Sequence, residues 1–139
     1  MRFKPIVTSL VLAAVAGCSS ATAPGSSADV AFTFGIHRPA AEPAFLVQAG
    51  MEGLIVRGVY EALTSGYTAT ASADITGRTL ELHVLGKQPV NNYPVISPTG
   101  YEAVVRGITT GPLHVRVIHE WSGITRSPVV AFESDLAVE

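Results

Sequence analysis

Cys18 is the only cysteine among 139 residues, so the chain has no internal disulfide and its core must hold by packing alone. Charge is sparse too: 14% of residues are Asp, Glu, Lys or Arg, with a formal net charge of −2. The bases are scattered, which excludes the clustered Lys and Arg of a nucleic-acid binder and a polybasic patch for anionic lipid. No apolar run approaches the roughly 20 residues that span a bilayer. Gly-x-Ser-x-Gly and Ser-x-x-Lys nucleophile patterns are absent, as are His-x-His and paired cysteine ligands. No glycine-rich loop joins a strand to a helix in the manner of a phosphate cradle. These absences point to a non-catalytic protein with no metal and no cofactor.

What is present begins at the N-terminus. Arg2 and Lys4 precede an apolar stretch from Ile6 to Ala16, interrupted only by Thr8 and Ser9. This stretch has the length and flanks of a secretory signal and is too short for a spanning helix. Val15-Ala16-Gly17-Cys18 follows it directly and closely resembles the lipobox of bacterial lipoprotein precursors. The resemblance implies cleavage before Cys18 and a diacylglyceryl group on its thiol, which would account for a lone cysteine in an exported chain. It also implies a place in the cell envelope, and Ser19 at the second mature position resembles lipoproteins sorted to an outer membrane where the source has two membranes. Loss of Arg2 and Lys4 would leave 7 bases against 11 acids, a formal charge of −4. The expected organisation is a signal peptide over 1–17, a flexible Ser, Ala, Thr, Gly and Pro tether over 18–28, and one domain over 29–139.

That domain alternates with period two throughout. Val30, Phe32, Phe34 and Ile36 share one face; so do Leu54, Val56 and Tyr60, and Tyr67, Ala69, Ala71 and Ala73. Thr76-Gly77-Arg78 predicts a hairpin to Leu80, Leu82 and Val84. A second hairpin is predicted from Tyr101, Ala103 and Val105 to Leu113, Val115 and Val117 through Thr109-Thr110-Gly111-Pro112, and a last strand from Val129 to Val138. Phe45 to Gln48 is ambiguous. Seven short strands in about a hundred residues suit an all-β, immunoglobulin-like sandwich, although a closed barrel fits the same count. Tyr101-x-Ala103-x-Val105-x-Gly107-Ile108 and Gly111-x-Leu113-x-Val115-x-Val117 are similar to the E-to-F passage of fibronectin type III and related immunoglobulin-like modules. That similarity favours the sandwich and implies nothing about function.

Candidate sites lie in two places. Gly86 to Gly100 reads as a long loop, and long loops on rigid sandwiches often carry function. Tyr93, Val95 and Ile96 would form its apolar tip for a protein partner. Glu120-Trp121-Ser122-Gly123 reads as another loop, where an exposed Trp121 beside Tyr93 would stack on a sugar ring. Burial of Trp121 would count against that use. His114 and His119 fall on opposite faces of one strand, while His83 and His114 share an outward face and meet only if their strands adjoin. The expected function is a membrane-anchored, non-catalytic module for envelope structure, adhesion or protein binding. The alternative is a module for glycan or another small ligand.

Overall fold

A computed structural model describes residues 25–90 and 96–139, which form nine strands in two packed sheets and no helix. In chain order the strands are β1 (Ser26–Ala28), β2 (Val30–Ile36), β3 (Leu46–Ala49), β4 (Leu54–Ala62), β5 (Thr68–Thr76), β6 (Thr79–Lys87), β7 (Ser97–Val105), β8 (Gly111–Ser122) and β9 (Val129–Val138). One sheet runs β1-β5-β6-β8-β9 and the other β2-β7-β4-β3. The fold is therefore an all-β sandwich. It has nine strands where seven were expected. The two additional ones are short: β3 falls in the ambiguous segment, and β1 lies at the end of the stretch read as tether. β1 pairs with β5 (Ser26↔Ile75 to Ala28↔Ala73). One residue later the chain crosses to the other sheet, where β2 pairs with β7.

The alternation read from the sequence is the core. Leu54, Val56, Tyr60 and Ala62 of β4 and Tyr101, Ala103 and Val105 of β7 turn inward from one sheet. Leu80, Leu82 and Val84 of β6 and Leu113, Val115 and Val117 of β8 meet them from the other. Small residues let large ones in. Register sets Ala69, Gly86 and Trp121 side by side across β5, β6 and β8, and a Cβ at Gly86 would fall inside the Tyr60 phenol. Glycine there is a condition of close approach between the sheets.

The β5–β6 hairpin forms as read, with Thr76 paired to Thr79 around Gly77-Arg78. Gly77 takes a φ of 60°, which suits the first central position of a two-residue type II′ turn. The second expected hairpin does not form. β7 and β8 lie in different sheets, and the segment between them crosses the sandwich. Arg78 holds that crossing in place: its guanidinium donates to the Pro112 carbonyl, to Thr109 Oγ1 at 2.8 Å and to the Thr110 carbonyl at 3.3 Å. After crossing, β8 settles parallel to β6, whereas both sheets of an immunoglobulin sandwich are antiparallel.

Candidate functional site

The loop expected over Gly86 to Gly100 is shorter than its sequence suggested, because β6 continues to Lys87 and β7 starts at Ser97. It crosses from one sheet to the other. Cys18, Tyr93 and Val95 lie outside the described residues. Ile96 is described, is 69% exposed and immediately precedes β7. Trp121 is corrected from loop to strand: β8 runs through it to Ser122, and only 7% of its surface is exposed. Its indole N–H donates to the Glu61 carbonyl at 2.9 Å. The Arg126 guanidinium lies 3.8 Å over its ring and also pairs with Glu61 at 3.2 Å. A sugar cannot reach a face already covered by a cation.

The same end of the sandwich holds a cleft of about 440 Å³, lined by Phe34, Gly35, Ala62, Thr64, Ser65, Gly66, Tyr67, Ser97 and Thr99. Three local features make it. β4 ends at Ala62 and turns through Gly66, whose φ is +79°. β2 bulges between Phe34 and Ile36, with Gly35 at φ +83°. β7 begins with Ser97-Pro98-Thr99. Five of the nine lining residues carry hydroxyls and none is charged.

Two of those hydroxyls are unusual. Thr64 and Tyr67 are each 8% exposed, and neither Thr64 Oγ1 nor Tyr67 Oη has a hydrogen-bond partner among the described residues. Buried polar groups are nearly always paired, and an unpaired one is costly. Burial pushes the Tyr67 phenol pKa up, with the nearby Arg126 charge working against it. No signal marked this cleft in the sequence, where its serines and threonines look like ordinary turn composition. The family-model scan and the searches of curated proteins and of solved structures find no match to this chain.

The histidines serve other purposes. β6 and β8 do adjoin, but Thr79 is the register partner of His114 and Ile118 that of His83. The two rings are thus offset by four residues, about 13 Å along the strands. His114 bridges two carboxylates, Nδ1 to Asp135 at 2.6 Å and Nε2 to Glu133 at 2.7 Å. A carboxylate facing each nitrogen favours the protonated ring, and its pKa is raised by Asp135 first and Glu133 second. The row of alternating charge continues through Arg116, 3.5 Å from Glu133 and 2.5 Å from Glu81. His83 lies beside the end of this row, 3.7 Å from Glu81 and 3.4 Å from Glu120. Among the described residues no group of three or more His, Cys, Asp or Glu is arranged to hold a metal ion. His119, on the opposite face of β8, is buried in an aromatic layer with Phe45, Tyr60, Tyr101 and Trp121.

Proposed function

We propose that this chain is a bacterial lipoprotein precursor, lipidated on Cys18 after loss of residues 1–17, whose sandwich is a non-catalytic binding module of the cell envelope. In a source with two membranes Ser19 favours the outer one. The observation that carries the binding role is polarity along β5. The chain enters the sandwich at Ser26, opposite Ile75, beside the Gly77-Arg78 turn. Tyr67, Ile96 and the hydroxyl-lined cleft belong to the other end. Eight residues of strand separate Ile75 from Tyr67, about 26 Å. A tether attached at Ser26 therefore leaves the cleft and the exposed Ile96 at the end far from the attachment point, open to partners in the surrounding envelope.

Two substitutions and a cross-linker test this. Cys18→Ala should leave the chain uncleaved and without lipid, which intact mass and incorporation of a labelled fatty acid read. A photo-cross-linking residue at position 96 should capture an envelope component that the same residue at position 109, at the tethered end, does not. Cleavage before residue 18 or lipid incorporation in Cys18→Ala would refute the anchor, and equal capture from both ends would refute the polarity. A second reading, small-ligand binding, is favoured by the cleft and no longer involves Trp121.

A further inference from the structure

We propose that the outer edge of β9 is a docking site for an extended segment of another protein in which basic and apolar residues alternate. The segment adds to the larger sheet as a further strand. This extends the binding role to a second surface and depends on neither the cleft nor Ile96.

The backbone supplies the first argument. β9 ends the five-stranded sheet, paired to β8 on one side and to no strand of the described residues on the other. Alternate N–H and C=O groups along such an edge have no partner in the sheet and form a template for strand addition. The other edges are blunted. β1 has three residues and β3 four, and β2 is broken by its bulge between Phe34 and Ile36. β9 has ten residues, with no proline, glycine or lysine among them. Its register shift lies opposite Val117 and Ile118, so Phe132 to Val138 stay regular.

Side chains select the partner. On the outer face Glu133 and Asp135 are 49% and 87% exposed. Glu133 meets His114 and Arg116 through Oε1, and Asp135 meets His114 through Oδ1. Among the described residues Glu133 Oε2 and Asp135 Oδ2 have no partner. Charge already alternates across the sheet, from Glu81 on β6 to Arg116 on β8 to Glu133 on β9. The next strand in that series carries lysine or arginine at two positions, two residues apart. On the inner face Phe132, Leu136 and Val138 are only partly buried, and the smaller sheet ends opposite them at the short β3, where Phe45 stacks on Phe132. Apolar residues flanking the two bases would cover them. Main-chain hydrogen bonds then hold the segment, and its alternating side chains give the specificity.

A second copy of this chain fits poorly. Facing residues of paired strands lie on the same side of a sheet. Antiparallel pairing of β9 with β9 in its fullest registers therefore sets Glu133 opposite its own counterpart or opposite Asp135 of the other copy, and like charges so placed are destabilising.

The probe is the blocked peptide Thr-Val-Lys-Val-Lys-Val-Thr, whose side-chain order is the same in both directions, so that parallel and antiparallel addition are tested together. It is titrated into the full chain in an uncharged detergent, with heats of binding and amide hydrogen exchange followed. The expected result is saturable binding, slowed exchange confined to β9, and no binding of the same peptide with glutamate in place of lysine. Glu133→Gln and Asp135→Asn should each weaken binding about two- to five-fold, whereas Asp74→Asn, at an exposed acid of β5, should leave it unchanged. N-methylation of the alternate peptide residues that face β9, either the lysines or the central and flanking valines, should abolish binding, and methylation of the other set should not. No saturable binding, protection at β2 or β5 instead, equal binding of the glutamate peptide, undiminished binding by the double variant, or indifference to both methylations would each overturn the proposal. Dimerisation through β9 without peptide would overturn it by giving the edge to a second copy. Capture from position 96 is a separate measurement, so either reading can fail without the other.

Discussion

Tyr101 and His119 meet across the two sheets, with the phenol oxygen 2.9 Å from His119 Nε2. His119 is only 4% exposed, and burial pushes its pKa down to about 4. The ring is therefore neutral near pH 7 and hydrogen-bonds to the Tyr101 hydroxyl, and burial also raises the pKa of that phenol. One hydrogen bond thus links β7 to β8 inside the aromatic layer.

Acid should loosen this link. The folded-state pKa of His119 lies below its usual 6.5, so the unfolded chain binds the extra proton first. The contribution is complete above about pH 6.5 and is lost as pH falls toward 4, amounting to about 3 kcal/mol across that window. Urea unfolding at pH 7, 5.5 and 4 should show the decline. His119→Gln, whose amide can still hydrogen-bond to Tyr101, should be less stable at pH 7 and show a flatter acid limb.

On the outer face of the same strand the sign reverses. Asp135 and Glu133 raise the His114 pKa, so the folded chain holds that proton more tightly than the unfolded one. Stability from this group is complete below the unfolded pKa and disappears as pH rises through the higher folded value. His114→Ala should flatten the profile on its neutral to alkaline side and leave the acid limb unchanged. Because the pair is exposed, added salt should diminish the difference between parent and variant.

Gly86→Ala should be strongly destabilising for its size. The new methyl would overlap the Tyr60 phenol, whose hydroxyl donates to the Glu120 carbonyl at 2.8 Å. Overpacking of this kind costs about 1–3 kcal/mol. Combining it with Tyr60→Phe, which removes the clashing oxygen, should recover part of the loss, and denaturant melts of the two single variants and the double variant measure the coupling.

Trp121→Phe retains most of the buried ring and removes the donor to Glu61. A loss of about 1–2 kcal/mol is expected from the unpaired carbonyl and the poorer platform for Arg126. Arg126→Ala should then cost less in the Trp121→Phe background than in the parent, which a double-mutant cycle reads directly.

Period-two alternation was enough to draw β2 over Val30–Ile36 and β9 over Val129–Val138 with their observed bounds. It missed β1, because Ser26-Ser27-Ala28 buries little and is held by backbone pairing to β5. It left β3 ambiguous because four residues are too few to show a period. Alternation also carries no information about which sheet a strand joins, so the crossing between Val105 and Gly111 looked like a hairpin. Trp121 was misplaced because Gly123 suggested a turn, whereas the strand runs to the residue before it. The cleft was illegible for a different reason. Thr64, Ser65, Ser97 and Thr99 lie far apart in sequence, and only the sheet register gathers their hydroxyls.

The parallel pairing of β6 and β8 bears on the order of assembly. Neither strand can be zipped to the other by a local turn: the chain must leave β6, lay β7 into the opposite sheet between β2 and β4, and return. Contacts so distant in sequence close slowly, because the entropy of the long loop is lost before its contacts form. The β5–β6 and β8–β9 hairpins can form early and apart, each with one side still unpaired, and the docking of β8 on β6 completes the larger sheet in a late step. A nascent chain of this topology stays open until almost all of it is available, a kinetic property set by one pairing in the middle of one sheet.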